Sequence, residues 1–261
     1  TFAVIGDPID HSLSPNIHNA AFRSLNLDCT YIAYRVLADE LESGIAALKS
    51  IGVAGFNITI PHKIAVMHHL DVVDENCSVV GACNTVSNAG GTLKGHNTDM
   101  EGFLDPIRRR GIPIRGSRVL LLGAAGFARE RAESITVANR TLARGASLAG
   151  FAEAAGLQAR YVGPDRIGPL SEYKFVVNAT AVGLKGELSP LDLGTLGPDS
   201  VVYDIVYRPM KTDLIAKAGK MGATIIYGYE MLLGQAARAF EIWHGTEAPY
   251  GAMKRALLGG V

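Results

Sequence analysis

One lysine of this chain lies where acid–base chemistry is plausible on physical grounds. Lys63 closes the stretch 55–63, which runs GFNITIPHK. Apolar residues alternate with polar ones from Phe56 to Ile60, the spacing of a strand with one packed face. Pro61 cannot donate to a strand ladder and suits the first turn of a helix. We therefore expect Lys63 just beyond the carboxyl end of a strand, at the start of a helix.

The neighbours of this lysine strengthen the interpretation. Asn57 and Thr59 fall on the opposite face of the strand, so an amide, a hydroxyl and an amine meet where α/β proteins hold ligands. A second polar stretch, GHNTD at 95–99, also lies between a predicted strand and a helix. Its Asp99 could charge-balance the lysine. The alternatives are a solvated lysine after a turn and a helix cap formed by Thr98 or Asp99.

Together the two stretches resemble the shikimate dehydrogenase family, in which a Lys from Asn-x-Thr-x-Pro-x-Lys and an Asp from Asn-Thr-Asp form the catalytic pair. The resemblance assigns Lys63 as general acid/base and Asp99 as its partner. It implies an NADP-dependent oxidoreductase that reversibly reduces 3-dehydroshikimate to shikimate, a step of aromatic amino acid biosynthesis. A quinate/shikimate dehydrogenase with NAD or dual cofactor use, a non-catalytic ligand-binding relative and a folate dehydrogenase are the alternatives.

The resemblance extends to the substrate contacts. Ser12 and Ser14 match a Ser-x-Ser-Pro stretch that binds the substrate carboxylate, and Ser14-Pro15 also predicts a helix cap and first helical residue. Residues 81–85 match Gly-Ala-x-Asn-Thr, 204–212 match Asp-x-x-Tyr-x-Pro-x-x-Thr, and the Gln of the closing helix touches substrate in the family. The substrate-binding residues implied are Ser12, Ser14, Asn57, Thr59, Asn84, Thr98, Tyr207 and Gln235.

A nucleotide-binding unit is predicted further along the chain. The apolar run Arg118–Leu122 predicts a buried parallel strand, and the loop 123–128, GAAGFA, follows it. Family members have a second glycine where this chain has Ala125. The resemblance implies cofactor contacts by Glu75, Gly123, Ala124, Ala125, Gly126, Phe127, Asn139, Arg140, Thr141, Arg144, Ile205 and Gly228.

The residues after the second strand of that unit predict NADP rather than NAD. NAD-selective units place an Asp or Glu there for the ribose hydroxyls, and positions 139–144 contain neither. Arg140 and Arg144 are one helical turn apart and flank Thr141, a set that suits a 2′-phosphate. Solvated arginines at a helix start are the alternative.

The connection between the first two strands of this unit is short. Only Phe127 to Ser134 separate the loop from the next strand, whereas a parallel crossover needs at least ~10–12 residues. We expect a chain break or an unusually short, mobile helix over 126–134, caused either by residues missing from the sequence or by a truly shortened helix.

The pattern of elements predicts two α/β domains with a cleft between them. Residues 1–100 with 229–261 would form a substrate-binding domain, and 101–228 a Rossmann-like dinucleotide-binding domain. The first domain is expected to end with a hairpin whose arms are 83–87 and 92–96. A helix that is kinked or ended by Pro106 is expected to follow. The other predicted elements are strands 31–36, 135–140, 158–162, 175–178, 201–204 and 223–227 and helices 38–51, 141–155 and 230–244.

Composition limits the partners. The chain of 261 residues is 48% hydrophobic and carries 25 basic and 25 acidic residues. This balance indicates neither a nucleic acid nor a membrane partner, and leaves a small-molecule substrate and a monomer or homodimer. Three cysteines without a C-x-x-C pair, and the lack of a membrane-length apolar run or signal peptide pattern, favour a cytoplasmic protein. No metal site is expected, because His68 and His69 are adjacent and cannot share a helix face.

Overall fold

The computed structural model of the chain describes residues 1–122, 132–154, 156–189 and 191–259. They divide into two compact units, one formed by Thr1–Gly102 with the chain from Leu232 onwards, the other by Phe103–Met231. Each unit is of the predicted α/β class and contains one six-stranded sheet. The predicted nucleotide loop and most of the short connection, residues 123–131, lie outside the described residues. No described helix is both long and apolar enough to cross a membrane.

The first unit is built on a mixed sheet. Its strands are β1 (Phe2–Gly6), β2 (Tyr31–Arg35), β3 (Gly55–Ile58), β4 (Val72–Val73), β5 (Thr85–Ala89) and β6 (Thr92–His96), in the order β2-β1-β3-β5-β6-β4. Strand β5 is antiparallel to both β3 and β6. Strands β3 and β6 therefore run in the same direction and end at the same edge, where β5 begins. The segments that follow β3 and β6 and precede β5 meet at this edge.

The second unit contains a doubly wound parallel sheet. Its strands are β7 (Arg118–Leu122), β8 (Ser134–Ala138), β9 (Gln158–Val162), β10 (Phe175–Asn178), β11 (Val201–Asp204) and β12 (Thr224–Tyr227), in the order β12-β11-β10-β7-β8-β9. All neighbours are parallel. The strand order reverses between β7 and β10, and such a switch point opens a crevice at the carboxyl ends of the strands.

Helices cover both sheets. They are α1 (Ser14–Ser24), α2 (Leu41–Ser50), α3 (Glu75–Val80), α4 (Thr98–Arg109), α5 (Leu142–Ala154), α6 (Asp213–Lys220), α7 (Gly228–His244) and α8 (Tyr250–Leu258). The predicted apolar face of α2 is confirmed, since Leu41, Ile45 and Leu48 are all buried. These side chains pack in one core with Ala3 and Ile5 of β1.

The opposite face of the first sheet carries an aromatic core. Phe2 and Trp243 lie with ring centroids 4.9 Å apart, and the ring of His18 stacks on that of Tyr31 at 4.4 Å with 7° between the planes. Strand β1 is buried throughout because alternate residues feed these two cores. In the second unit, Phe103 of α4 stacks on Tyr203 of β11 at 4.7 Å.

Several local predictions are wrong at element ends. Ser14 is the first helical residue of α1, and Leu13 precedes it without a side-chain cap bond. Ile60 is 69% exposed, because β3 stops at Ile58 and the alternation no longer has a sheet to pack on. The helix after Lys63 is a single 3₁₀ turn over Ala65–His69.

The hairpin and the helix that follows it also differ from expectation. The first arm is shifted to Thr85–Ala89, which leaves Gly90 and Gly91 as a two-residue loop with φ of 60° and 90°. Two positive φ angles in such a loop match the twist of the strands and favour glycine. The helix α4 continues through Pro106 to Arg109, so the early end predicted at the proline is wrong.

Candidate active site

Lys63 and Asp99 meet at the edge where β3 and β6 end. Lys63 Nζ donates to Asp99 Oδ2 at 2.6 Å, and their side chains remain 34% and 26% exposed, so a ligand can reach them. The backbone of the lysine is held as well, because the Cys83 amide donates to the Lys63 carbonyl at 2.8 Å. The geometry fits a lysine that moves a proton and a carboxylate that orients it.

A neighbouring residue caps α4 and leaves Asp99 available to the lysine. Asn97 Oδ1 accepts from the amide of Met100 at 3.2 Å, in the position of a helix cap. The alternative in which Thr98 or Asp99 is the cap is therefore wrong. In the first turn of α4, the Asp99 carboxylate is also stabilised by the positive end of the helix dipole.

Asn84, immediately before β5, ties the helix start to the catalytic pair. Its Nδ2 donates to Asp99 Oδ1 and to Thr98 Oγ1, both at 2.9 Å, and its Oδ1 accepts from the amide of Thr98 at 2.7 Å. Asn84 is 3% and Thr98 1% exposed. The two predicted contact residues are thus engaged mainly with the protein, and Asn84 orients the second oxygen of Asp99.

Asn57 of β3 is similarly engaged. Its Nδ2 donates to Thr85 Oγ1 at 2.9 Å and to the Asn84 carbonyl at 3.1 Å, while its Oδ1 accepts from the Tyr31 phenol at 2.6 Å. Both amide hydrogens are used, and one lone pair of the carbonyl oxygen remains for a ligand.

The two predicted carboxylate-binding serines lie together at the start of α1. The Ser14 amide donates to Ser12 Oγ at 3.3 Å, and Ser14 is 9% exposed. Thr59, at the end of β3, is half-buried against Gly6, where any Cβ would overlap the Thr59 side chain. Glycine at position 6 is therefore required for this approach.

The other predicted contacts are more dispersed. Gln235 is buried in α7, and its Nε2 donates to the Leu232 carbonyl at 2.8 Å. Tyr207 is half-buried after β11, and Glu75 is exposed at the first position of α3. Within the described residues of the first unit, no hydrogen bond joins the Gln235 side chain to the Lys63–Asp99 pair.

The second unit contains a cavity of about 860 Å³ at the carboxyl ends of β7, β8 and β10. Arg140, Thr141 and Arg144 lie on its wall and are exposed. Across the described part of the chain, no carboxylate forms an ion pair with either guanidinium. The wall also contains Asn139, Asn178, Ala179, Thr180, Gly183, Glu187 and Thr212.

A buried carboxylate holds the loops that form this cavity. Asp204 Oδ1 accepts from Asn178 Nδ2 at 2.9 Å and from the Val206 amide at 3.0 Å, and Oδ2 accepts from Thr212 Oγ1 at 2.6 Å. Burial raises the pKa of Asp204, although these three hydrogen bonds work in the opposite direction. Asn178 Oδ1 in turn accepts from Thr180 Oγ1 at 2.6 Å. Residues 178–180, after β10, and residues 204–212, after β11, thus form one network beneath the cavity.

The turn at residues 139–141, which leads into the helix of Arg144, is held by two hydrogen bonds. Asn139 Oδ1 accepts from the Thr141 amide at 2.9 Å, and Tyr161 donates from its hydroxyl to the Asn139 carbonyl at 3.1 Å. A Cβ at Gly145 would overlap the Tyr161 ring. Glycine here lets the tyrosine lie against α5 and reach the turn.

The last two predicted cofactor contacts lie together at neighbouring strand ends. Gly228 is the first residue of α7, and a Cβ there would overlap the carbonyl of Ile205 and the backbone of Val206. The remaining predicted contacts, Gly123, Ala124, Ala125, Gly126 and Phe127, lie outside the described residues.

Sequence reasoning missed two buried members of the first site. Tyr31 and Thr85 complete the hydrogen bonds of Asn57 and are 2% and 0% exposed. The sequence offered no signal for either, because Tyr31 and Thr85 lie 26 and 28 positions from Asn57 along the chain.

The chain matches known families at both ends. Residues 4–86 match the shikimate dehydrogenase substrate binding domain, and residues 228–258 match the shikimate 5′-dehydrogenase C-terminal domain.

Full-length relatives and structures agree. A shikimate dehydrogenase (NADP(+)) of Nitrosopumilus maritimus is 60% identical over 269 residues, covering 100% of this chain and 98% of the relative. The shikimate 5-dehydrogenase of Thermus thermophilus, in complex with NADP(H) and shikimate, superposes with a TM-score of 0.87 at 34% identity, covering 100% and 99% of the chains. A quinate dehydrogenase of Corynebacterium glutamicum in complex with NAD superposes with a TM-score of 0.92 at 28% identity, covering 99% of this chain and 98% of the other. Because the chain is 60% identical along its whole length to the shikimate dehydrogenase of Nitrosopumilus maritimus, it belongs to the shikimate dehydrogenase family.

Proposed function

We infer that the chain is an NADP-dependent oxidoreductase that reversibly reduces 3-dehydroshikimate to shikimate. The observation that carries the inference is the 2.6 Å contact between Lys63 and Asp99 in a chain 60% identical to an NADP-dependent shikimate dehydrogenase. A relative that only binds ligand has no need of an accessible amine beside an oriented carboxylate.

The reaction requires a proton at the oxygen of the reacting carbon. Lys63 Nζ gives this proton when the ketone is reduced and takes it back when the alcohol is oxidised. Asp99 accepts one hydrogen bond from Lys63 and one from Asn84, so both of its oxygens are held. The ammonium group is thereby kept in one place while it faces the substrate, and this positioning lowers the entropic part of the barrier.

The first unit would bind the substrate. Ser12 and Ser14 are proposed to donate to its carboxylate at the start of α1, where backbone amides also favour an anion. Thr59, Gln235 and the free lone pair of Asn57 suit its ring hydroxyls. Polar pairing of this kind rejects analogues that lack a hydroxyl.

The second unit would bind the cofactor. When bound, NADPH supplies the hydride. The residues present fit its adenosine 2′-phosphate, because Arg140 and Arg144 are two cations without a carboxylate partner in the described chain, and Thr141 adds a hydroxyl. The other proposed cofactor contacts are Glu75 of the first unit, Asn139, Ile205 and Gly228, with the loop 123–127, while Tyr207 stays a proposed substrate contact.

The partners of the protein are small molecules, and its compartment stays a proposal. The cytoplasm is supported by three cysteines that are all free thiols. A monomer and a homodimer both remain compatible with the proposed reaction.

The function is tested by following the absorbance of reduced nicotinamide with shikimate or quinate, each with NADP or NAD. We expect turnover with shikimate and NADP to exceed that of the other three pairs. Faster turnover with quinate and NAD would contradict the proposal and favour the quinate dehydrogenase alternative. No turnover with any pair would favour a non-catalytic relative.

A further inference from the structure

A continuous series of buried hydrogen bonds runs to Asp99 from a tyrosine outside every proposed contact. Tyr31 donates to Asn57, Asn57 to Thr85, Thr85 to Asn84, and Asn84 to Asp99, over distances of 2.6, 2.9, 3.2 and 2.9 Å. Tyr31, Asn57, Thr85 and Asn84 are each at most 5% exposed. Water cannot readily replace a missing partner in such a series.

The direction of the hydrogen bonds follows from groups that have only one possible role. Asp99 is an acceptor when ionised, and the Thr98 amide is a donor. Asn84 must therefore turn its Nδ2 to Asp99 and its Oδ1 to the Thr98 amide, as observed at 2.9 and 2.7 Å.

The next amide is oriented by the same logic. The Asn84 carbonyl can only accept, so Asn57 must present Nδ2 to it, at 3.1 Å, and Oδ1 to the other side. The only donor observed at Asn57 Oδ1 among the described residues is the Tyr31 hydroxyl. Thr85 Oγ1 then accepts from Asn57 and donates to Asn84 Oδ1 at 3.2 Å, with Thr98 Oγ1 as a further polar neighbour at 3.1 Å.

Tyr31 has the properties that a permanent donor needs. Burial raises the pKa of its hydroxyl well above the usual value, so the proton is retained. Its ring is held by the stacked His18 at 4.4 Å.

We propose that Tyr31 is a positioning residue for the reaction: its hydroxyl fixes the Asn57 amide and, through Thr85 and Asn84, the carboxylate that orients Lys63. The proposal rests on the proposed function for its kinetic consequence alone. Without the Tyr31 donor, Asn57 Oδ1 is left unsatisfied in the interior, and the amide shifts towards another partner although the Asn84 carbonyl still selects its Nδ2. The Thr85 hydroxyl is then displaced from Asn84 Oδ1, and Asn84 is held towards Asp99 less rigidly, chiefly by its bonds to Thr98.

The test compares Tyr31→Phe with Tyr34→Phe, which removes a hydroxyl from an exposed side chain of the same strand. Phenylalanine preserves the ring stacked on His18. We expect kcat to fall about tenfold in Tyr31→Phe, equivalent to about 1.4 kcal/mol of transition-state stabilisation, with KM for NADPH unchanged and the pH profile of kcat displaced. Tyr34→Phe should match the unmutated protein. If Tyr31→Phe retains its kcat and pH profile, the proposal is wrong, whatever happens to the melting temperature.

A second pair of variants keeps the test decisive if Tyr31→Phe does not fold. Thr85→Val removes the relay hydroxyl at constant shape, and Thr85→Ser restores it. We expect a loss of kcat in the valine variant and recovery in the serine variant. Full activity of Thr85→Val would overturn the proposal.

A structural readout separates this proposal from the proposed function. Hydrogen exchange of the Asn84 side-chain amide, followed by NMR, should be at least about tenfold faster in Tyr31→Phe or Thr85→Val than in the unmutated protein. This holds even if shikimate is not the substrate. Unchanged exchange in both variants would contradict the positioning role. Faster exchange in the variants of a protein that never turns over shikimate would contradict only the proposed function.

Discussion

The charged side chains at the edge of the first sheet are paired with one another, whereas those at the cavity of the second unit are exposed. Lys63 is paired with Asp99, and that carboxylate is held again by Asn84, so the reacting groups are oriented before any ligand binds. Arg140 and Arg144 are exposed and have no carboxylate partner in the described chain. The difference fits the two proposed roles, since a group that transfers a proton needs a fixed geometry, while a group that binds a charged cofactor needs its charge available.

The buried hydrogen-bond networks beneath the two sites also differ in what they hold. In the first unit the buried network includes the Asp99 carboxylate itself, through Asn84. In the second unit, Asp204 and its partners Asn178 and Thr212 hold the backbone of the loops. Changes in the first network should therefore affect turnover, and changes around the arginines should affect the choice of cofactor.

The largest expected effect is at Lys63. Lys63→Ala should lower kcat by about 10²–10⁴-fold, the usual loss when a general acid/base is removed, and should change shikimate binding less. Steady-state kinetics and equilibrium binding measure the two effects, with Lys49→Ala as an exposed-lysine control. Near-normal turnover of Lys63→Ala would show that the lysine is only a turn residue.

The next effect concerns cofactor choice. Each charge-assisted hydrogen bond contributes about 1.5–3 kcal/mol, roughly ten- to a hundredfold in affinity. NADPH should be preferred over NADH by at least this factor, and Arg140→Ala should remove most of the preference without impairing NADH use. Arg166→Ala, another exposed arginine of the same unit, is the control. Equal kcat/KM for both cofactors in the unmutated protein would contradict the binding of the 2′-phosphate by Arg140 and Arg144.

A third prediction uses the buried His18 beside the first site. Burial, with the nearby His244, lowers the pKa of His18 to about 3 from 6.5. The unfolded chain therefore binds a proton that the folded chain refuses, and stability falls as the pH drops below 6.5. Between pH 7.5 and pH 5 the loss is about 2 kcal/mol. Both ring nitrogens lack a hydrogen-bond partner in the described structure, so His18→Phe should fold and flatten this dependence.

Urea unfolding at several pH values measures the effect, and His11→Gln, a change at an exposed histidine, should leave the dependence intact. An unchanged pH dependence in His18→Phe would mean that another group is responsible.

The smallest effect is expected at Ser14. Since Ser14 is not the helix cap, Ser14→Ala should raise KM for shikimate about tenfold, through a lost hydrogen bond to the carboxylate, with kcat and the melting temperature little changed. Ser24→Ala on the same helix is the control. An unchanged KM would remove Ser14 from the anchoring site and confine carboxylate binding to other groups.

Local sequence was sufficient for most elements, and it supplied a chemistry for the central residues that stays a prediction. The continuous apolar run of β7 and the alternation in β3 predicted strands, because burial on one or both faces leaves a period that can be read directly. The stretches around Lys63 and Asp99 predicted a catalytic pair, and Arg140 and Arg144 predicted a phosphate site. Element ends were predicted less accurately, at Ser14, Ile60 and Pro106. Where an element ends depends on tertiary packing as well as on the local preference of the residue.

What only the tertiary structure decided is how the polar groups are shared. The sequence by itself indicated that Asn57, Asn84 and Thr98 are polar residues beside strand ends. It did not indicate that they bind one another, because β5 enters antiparallel between β3 and β6 and brings distant segments to one edge. Tyr31 joins them from β2, which is separated from β3 by β1 in the same sheet. Hydrogen bonds between side chains depend on this long-range strand pairing, and spacing along the chain carries no record of it.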